Sequence, residues 1–181
     1  MAYHSAWNAA QDLGTACGCA ILPLRNAATK GPAPLYDQVK YQSYSLDILD
    51  EVIYFFKANV LFKHFEVKGP ADRILVYMTL YATLCLKKIE TCADDPEKAH
   101  KALQMLAYED FSMPGDAAFP LGSFFPAPQT SNEKDLFRAY MKQLREELGK
   151  RLVSRVFGEE GSASKFWLVF AKRKFMNKVL S

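Results

Sequence analysis

The chain has 181 residues, half of them hydrophobic, with four cysteines and a formal net charge of +3. That length fits one domain with a substantial core, and that apolar content excludes a disordered chain. The net charge hides an asymmetry. Residues 131–181 hold 12 Lys/Arg against 6 Asp/Glu, whereas residues 1–130 hold 11 against 14, so the basic end predicts an acidic or polar partner face.

The first 46 residues read as an irregular arm, punctuated by Gly14, Gly18, Pro23, Gly31, Pro32 and Pro34. The stretch Cys19 to Leu24 is expected to be extended. The prolines of KGPAP (Lys30–Pro34) disfavour helix at the residues before them. An arm without its own core needs anchors, for which Tyr3, Trp7, Ile21, Leu22 and Leu24 are the candidates. Residues 47–181 read as a helical body. Asp47 caps a helix expected to run to Phe65, with Asp50 and Glu51 in its first turn and Ile48, Val52, Phe55, Phe56, Asn59, Phe62 and Phe65 at three- and four-residue steps. The turn VKGPAD then predicts an antiparallel partner helix beginning at Pro70.

That second helix holds the most informative run of the chain, ILVYMTLYATLCL from Ile74 to Leu86, which carries no charged residue. Its apolar side chains fall on every face, and a helix apolar all round is buried all round. Thirteen residues rise only about 20 Å, short of the roughly 20 residues that span a bilayer, so the helix is expected to be jacketed by the same protein or a partner. A third helix is expected from Pro96 to Glu109, capped by Asp95, with Ala99, Leu103 and Leu106 as its apolar stripe. From Phe111 to Pro128 four prolines interrupt Phe111, Phe119, Phe124 and Phe125, which predicts a packed loop, with partner contact as the alternative for its phenylalanines.

Thr130 and Glu133 stand at capping-box spacing before a fourth helix with Phe137, Met141, Leu144, Leu148, Leu152 and Val156 as its stripe. Arg138, Lys142, Arg145, Glu146 and Lys150 take the other faces, and Gly149 predicts a bend or a close approach. Phe157-Gly158 ends it. A last helix is expected from Lys165 to about Leu180, led by five consecutive apolar residues, Phe166 to Phe170, and followed by Lys172, Arg173, Lys174 and Lys178. Core packing with a solvated basic end, docking of a protein partner and contact with anionic lipid are the three readings of this segment.

No phosphate loop, HExxH or GxSxG motif is present. His4, His64 and His100 are dispersed, and the pairs Asp50-Glu51, Asp94-Asp95 and Glu159-Glu160 sit at helix starts or turns, where capping and solvation explain them. Cys17 and Cys19 lack metal-ligand spacing. Cys85 and Cys92 lie about 10 Å apart along a helix axis, too far for a disulfide, so free thiols are expected. No leader and no membrane span are expected, which predicts a soluble intracellular chain without catalytic chemistry.

Several blocks then resemble one family, in order along the chain. DEVIYFFKANVLFKHFEVKGPADRILVYMTLYATLCLKKI, from Asp50 to Ile89, resembles the central hairpin of subunit 3 of the actin-related protein 2/3 complex. MAYHS, ILPLR, KGPAP, MPGDAAFPLG, RAYMKQLREELGKRL and KRKFMNKVLS are similar to other parts of that family. The resemblance implies an all-α fold of about five helices, one of them central and enclosed, with an irregular amino-terminal arm, over a single domain spanning 1–181. It implies a non-catalytic subunit of the seven-member complex that nucleates branched actin filaments, lying against actin-related protein 3, in the cytoplasm and at the cell cortex. ATP would belong to its partners, so no cofactor is expected. Candidate contact residues are Lys30, Gly31 and Pro32 in a docking arm, and Trp167, Phe170, Lys172, Arg173, Lys174 and Lys178 at the basic end.

Overall fold

The computed structural model describes residues 1–180. A small antiparallel hairpin, β1 (Thr15–Ala16) and β2 (Cys19–Ala20), precedes five helices: α1 (Ile48–Asn59), α2 (Pro70–Glu90), α3 (Pro96–Tyr108), α4 (Ser131–Phe157) and α5 (Lys165–Leu168). Single 3₁₀ turns at Ala6–Ala9 and Phe175–Asn177 flank this set. The fold is all-α, with the hairpin as its only paired strands among the described residues.

Helix α2 is the axis of the molecule. From Ile74 to Leu86 every residue is buried except Leu84, which is half-buried. α1, α3, α4, α5, β2 and the first 3₁₀ turn all pack against it. An all-round apolar surface is thereby removed from water on every side, as its composition requires.

Local chemistry sets the helix starts. Asp47 accepts the amide of Asp50 at 2.9 Å and Asp95 that of Lys98 at 2.9 Å. Thr130 accepts the amide of Glu133 at 3.1 Å. The return half of that capping box is redirected: the Glu133 carboxylate accepts from Gln129 N at 2.7 Å and from Cys17 N at 2.8 Å, tying the β-hairpin to α4. Helix α2 has only Gly69 at its N-cap, and its missing acceptor comes from the arm. Asn8 Oδ1 accepts the amides of Ala71 and Asp72, each at 3.1 Å.

Three expectations need correction. Helix α1 stops at Asn59 rather than Phe65, where the Asn59 side chain pairs with the backbone of Tyr3 in both directions, at 2.8 and 2.9 Å. Phe65 leaves the helical register to pack edge-on against Phe175, with centroids 5.8 Å apart. The α1–α2 connection is correspondingly not a tight hairpin. Ser5 donates its amide to Asp72 at 2.9 Å and its hydroxyl to Glu51, so the first turns of α1 and α2 meet at one residue of the arm. Glu51 is buried there and not a solvated cap, and burial pushes its carboxyl above the ordinary range.

Arg145 is the second correction. It is buried, with its guanidinium between the rings of Tyr81 and Phe111 at 4.7 and 4.5 Å and one nitrogen donating to Leu106 O at 2.8 Å. The third is the last helix, which is one turn long. After Leu168 the chain turns, and Met176 and Asn177 adopt left-handed φ values of 51° and 56°. A continuous helix would put consecutive apolar residues about 100° apart, so five in a row could not all face one core. The irregular path instead brings Trp167, Ala171, Phe175, Met176 and Leu180 all to the core.

Other expectations stand. Gly149 is a close approach: a Cβ there would lie 3.4 Å from Leu103 Cβ of α3. In the Pro-rich loop Phe119 and Phe125 are buried, Phe111 and Phe124 half-buried, and Phe125 is edge-on to Phe119 and to Phe137. Trp7, Ile21, Leu22 and Leu24 anchor the arm in the core, while Tyr3 lies stacked on Phe55 at the surface.

Candidate partner-binding surface

All four cysteines are free and buried. Burial pushes the Cys17 thiol up to about 11 and the Cys85 thiol up to about 12, away from the reactive thiolate. Among the described residues no group of three or more His, Cys, Asp or Glu side chains is placed to hold a metal, and no helix is long and apolar enough to cross a membrane. What the surface does offer is shape, charge and exposed apolar area.

The carboxy-terminal segment has two faces because its backbone bends. On the inner face Trp167 is 7% exposed, stacks on Phe56 with centroids 5.9 Å apart, and carries Lys57 Nζ 4.4 Å from its ring centre. Phe170 is half-buried and edge-on to Phe56 at 6.1 Å. Lys178 Nζ donates to Pro120 O at 2.8 Å, and Met176 N to Phe62 O at 3.0 Å, which fasten the tail to the loops beside it. On the outer face Phe166 is 80% and Val169 63% exposed. Lys165, Lys172, Arg173 and Lys174 of the same segment are exposed, and none of the four is in an ion pair among the described residues. From Gly161 to the end of the chain there is no carboxylate side chain.

Of the six candidate residues here, Lys172, Arg173 and Lys174 lie open to a partner. Trp167 and Phe170 serve the chain's own core, and Lys178 holds the tail in place. Phe166 and Val169, not among the contact candidates from the sequence, are the most exposed apolar side chains of the segment, with Val179 less so. Their exposure depends on where the helix ends, which periodicity did not reveal.

The second candidate set lies in the arm. Thr29 donates its amide and hydroxyl to Glu147 at 2.8 and 2.7 Å. Ala33 N donates to Gln143 Oε1 at 2.8 Å, and Gln143 Nε2 to Thr29 O at 3.2 Å. Two residues one turn apart on α4 thus clamp the strap from Thr29 to Ala33. Gly31 is required where it lies, since a Cβ would stand 2.3 Å from Gln143 Oε1. Lys30 and Gly31 are exposed and Pro32 half-buried. Beside the strap opens a groove of about 1030 Å³, with Gln143 in its lining. Glu147 and Gln143 were legible only as polar positions on a helix. Their role depends on long-range contact with the arm.

Comparison with known proteins places this architecture. Residues 1–180 match the family described as P21-Arc, the ARP2/3 complex ARPC3 (21 kDa) subunit. The chain is 46% identical over 182 residues to actin-related protein 2/3 complex subunit 3 of Dictyostelium discoideum, covering 99% of this chain and 100% of the relative. It is 44% identical over 180 residues to the subunit of that name from Arabidopsis thaliana and 41% identical over 180 residues to that from Schizosaccharomyces pombe, with 99% of each chain covered in both cases. A family match along the described length, together with full-length relatives above 40% identity, shows that the chain belongs to the actin-related protein 2/3 complex subunit 3 family.

Proposed function

We propose that the chain acts as a non-catalytic structural subunit of a seven-subunit actin-related protein 2/3 complex, supporting nucleation of branched actin filaments by packing against actin-related protein 3. The observation that carries this reading is the outer face of the carboxy-terminal segment. Phe166 and Val169 stand out from a backbone that Trp167, Ala171 and Phe175 lock to the core, and Lys172, Arg173 and Lys174 of the same segment are exposed and in no ion pair among the described residues. A rigid apolar pair with a basic rim suits an acidic protein surface, with the apolar residues giving affinity and the charges orientation and encounter rate. The mechanism is binding energy alone. The subunit presents a preorganised shape and restrains how its larger neighbours move, in the cytoplasm and at the cell cortex, with nucleotide held by those neighbours.

Charge reversal at two exposed positions, Arg173→Glu with Lys174→Glu, tests the assignment. The variant is expected to keep its thermal unfolding midpoint and to lose at least tenfold in affinity for the other subunits in a reconstitution pull-down. Unchanged affinity rejects this face as the docking site.

A further inference from the structure

The groove beside the arm has a build that a structural brace alone does not require. One wall is the segment from Pro34 to Gln42, and Gln143 of α4 is also in the lining. The lining includes one of the most exposed aliphatic side chains of the molecule, Leu35 at 93%, and Val39, outside the lining on the same segment, is 81% exposed. Segments with that much apolar exposure are usually loose, but this one is braced at each turn. Asp37 accepts the amides of Val39 and Lys40 at 2.8 and 3.0 Å. Tyr36 donates its hydroxyl to the carbonyls of Tyr41 and Tyr44. Arg25 stacks on the Tyr36 ring at 4.4 Å and donates to Tyr36 Oη, Ser45 O and Tyr44 O, each at 2.6 Å. Tyr44 in turn stacks on the buried Trp7 with centroids 4.0 Å apart. A preorganised wall loses little entropy when something binds it.

The lining states what that something is. Its charged members are Arg25 and Lys30, with no carboxylate. Gln38 and Gln42 are exposed, and neither side chain bonds to the protein. Primary amides each donate and accept, which matches the alternating groups of an extended backbone. Leu35 supplies an apolar contact for a side chain of the occupant.

We infer that this groove receives an extended, acidic segment of a neighbouring subunit in the assembly. The segment's main chain is held by Gln38 and Gln42, one of its apolar side chains lies on Leu35, and its negative charge lies toward Lys30. This rests on the proposed role as a complex subunit, and gives that subunit a second attachment separate from the carboxy-terminal face.

The test is reconstitution with the other subunits, using a photo-crosslinking residue at Gln38 and, separately, the double variant Lys30→Glu, Leu35→Asp. All three positions are exposed, so the unfolding midpoint of each variant is expected to stay within about 2 °C of the unmodified chain. The expected results are a crosslink from position 38 to one defined subunit and a loss of tenfold or more in affinity for the assembly. A crosslink only between copies of this chain, or no crosslink with unchanged affinity, overturns the groove assignment while leaving the subunit role intact. Failure of the unmodified chain to enter the assembly overturns both.

Discussion

Arg145 carries a charge into the core with no carboxylate paired to it among the described residues. Its Nε and the Tyr81 hydroxyl both lack a hydrogen-bond partner. Desolvating a guanidinium is costly, and two stacked rings with one carbonyl offset only part of that cost. The long stem, however, fills space between α2 and α4. Two substitutions separate these effects. Arg145→Met keeps the volume and removes the charge, and is expected to lie within about 1 kcal/mol of the parent in urea unfolding, or above it. Arg145→Ala removes both and is expected to lose about 3 kcal/mol.

The buried thiols give a pH dependence with a definite sign. Cys85 rises from the ordinary 9.0 to about 12, and Cys17 from 9.0 to about 11, because burial disfavours the thiolate. The unfolded chain therefore ionises first. The contribution of these groups is fully present below pH 9 and is lost as pH rises toward their folded values. Stability measured from pH 8 to 10.5 is expected to fall, and Cys85→Ala to fall less steeply. Equal slopes contradict this origin.

Among the elements, α2 best shows how local and distant residues divide the work. Its composition alone announced a buried helix, because an unbroken run of apolar side chains leaves no face for water. Its start was equally legible, from Pro70. What closes its first turn was not. The acceptor is Asn8, more than 60 residues away, and Gly69 permits the approach, since a Cβ would stand 2.5 Å from Asn8 Oδ1. Asn8→Ala is expected to cost about 1 kcal/mol, as for other lost caps, and Gly69→Ala to destabilise through the same contact. Protection of the first α2 amides against hydrogen exchange reports both directly.

The carboxy-terminal segment shows the opposite case. Helical periodicity predicted a helix to Leu180, yet the segment holds one turn and then follows the core. Tertiary burial of Trp167, Phe175 and Met176 outweighs the propensity of a short terminal helix, whose nucleation is unfavourable without packing. Positions 167, 171 and 175 keep helical spacing, but no stripe marked where the helix would stop or that Met176 and Leu180 would also turn inward. Truncation separates buried from exposed side chains: Phe175→Ala is expected to cost about 3–5 kcal/mol, whereas Phe166→Ala stays within about 0.5 kcal/mol of the parent. A large loss from Phe166→Ala would mean that this ring supports the fold and is not held out for a partner.

At the scale of the whole molecule, the arm is as much a part of the body as the helices. Glu51, Asp72, Asn59, Glu133, Gln143 and Glu147, all within or at the ends of helices, each make at least one side-chain hydrogen bond to a residue of the first 33 positions. In the sequence Asn59 reads as part of the α1 stripe, Glu51 as a first-turn carboxylate and Glu133 as half of a capping box, and none of these readings points to the arm, because a contact across 46 to 118 residues leaves no local periodicity. The consequence is a rigid block with two outward features, the basic apolar face at one end of the chain and the groove beside the strap, both suited to holding larger neighbours in a fixed relation.

The most direct test of this role is the mass and composition of the particle that contains the chain when it is isolated from cells under native conditions. The account predicts a single large assembly holding one copy of the chain together with actin-related proteins, and little free monomer. Recovery of the chain as a monomer, or in particles devoid of actin-related proteins, would contradict it.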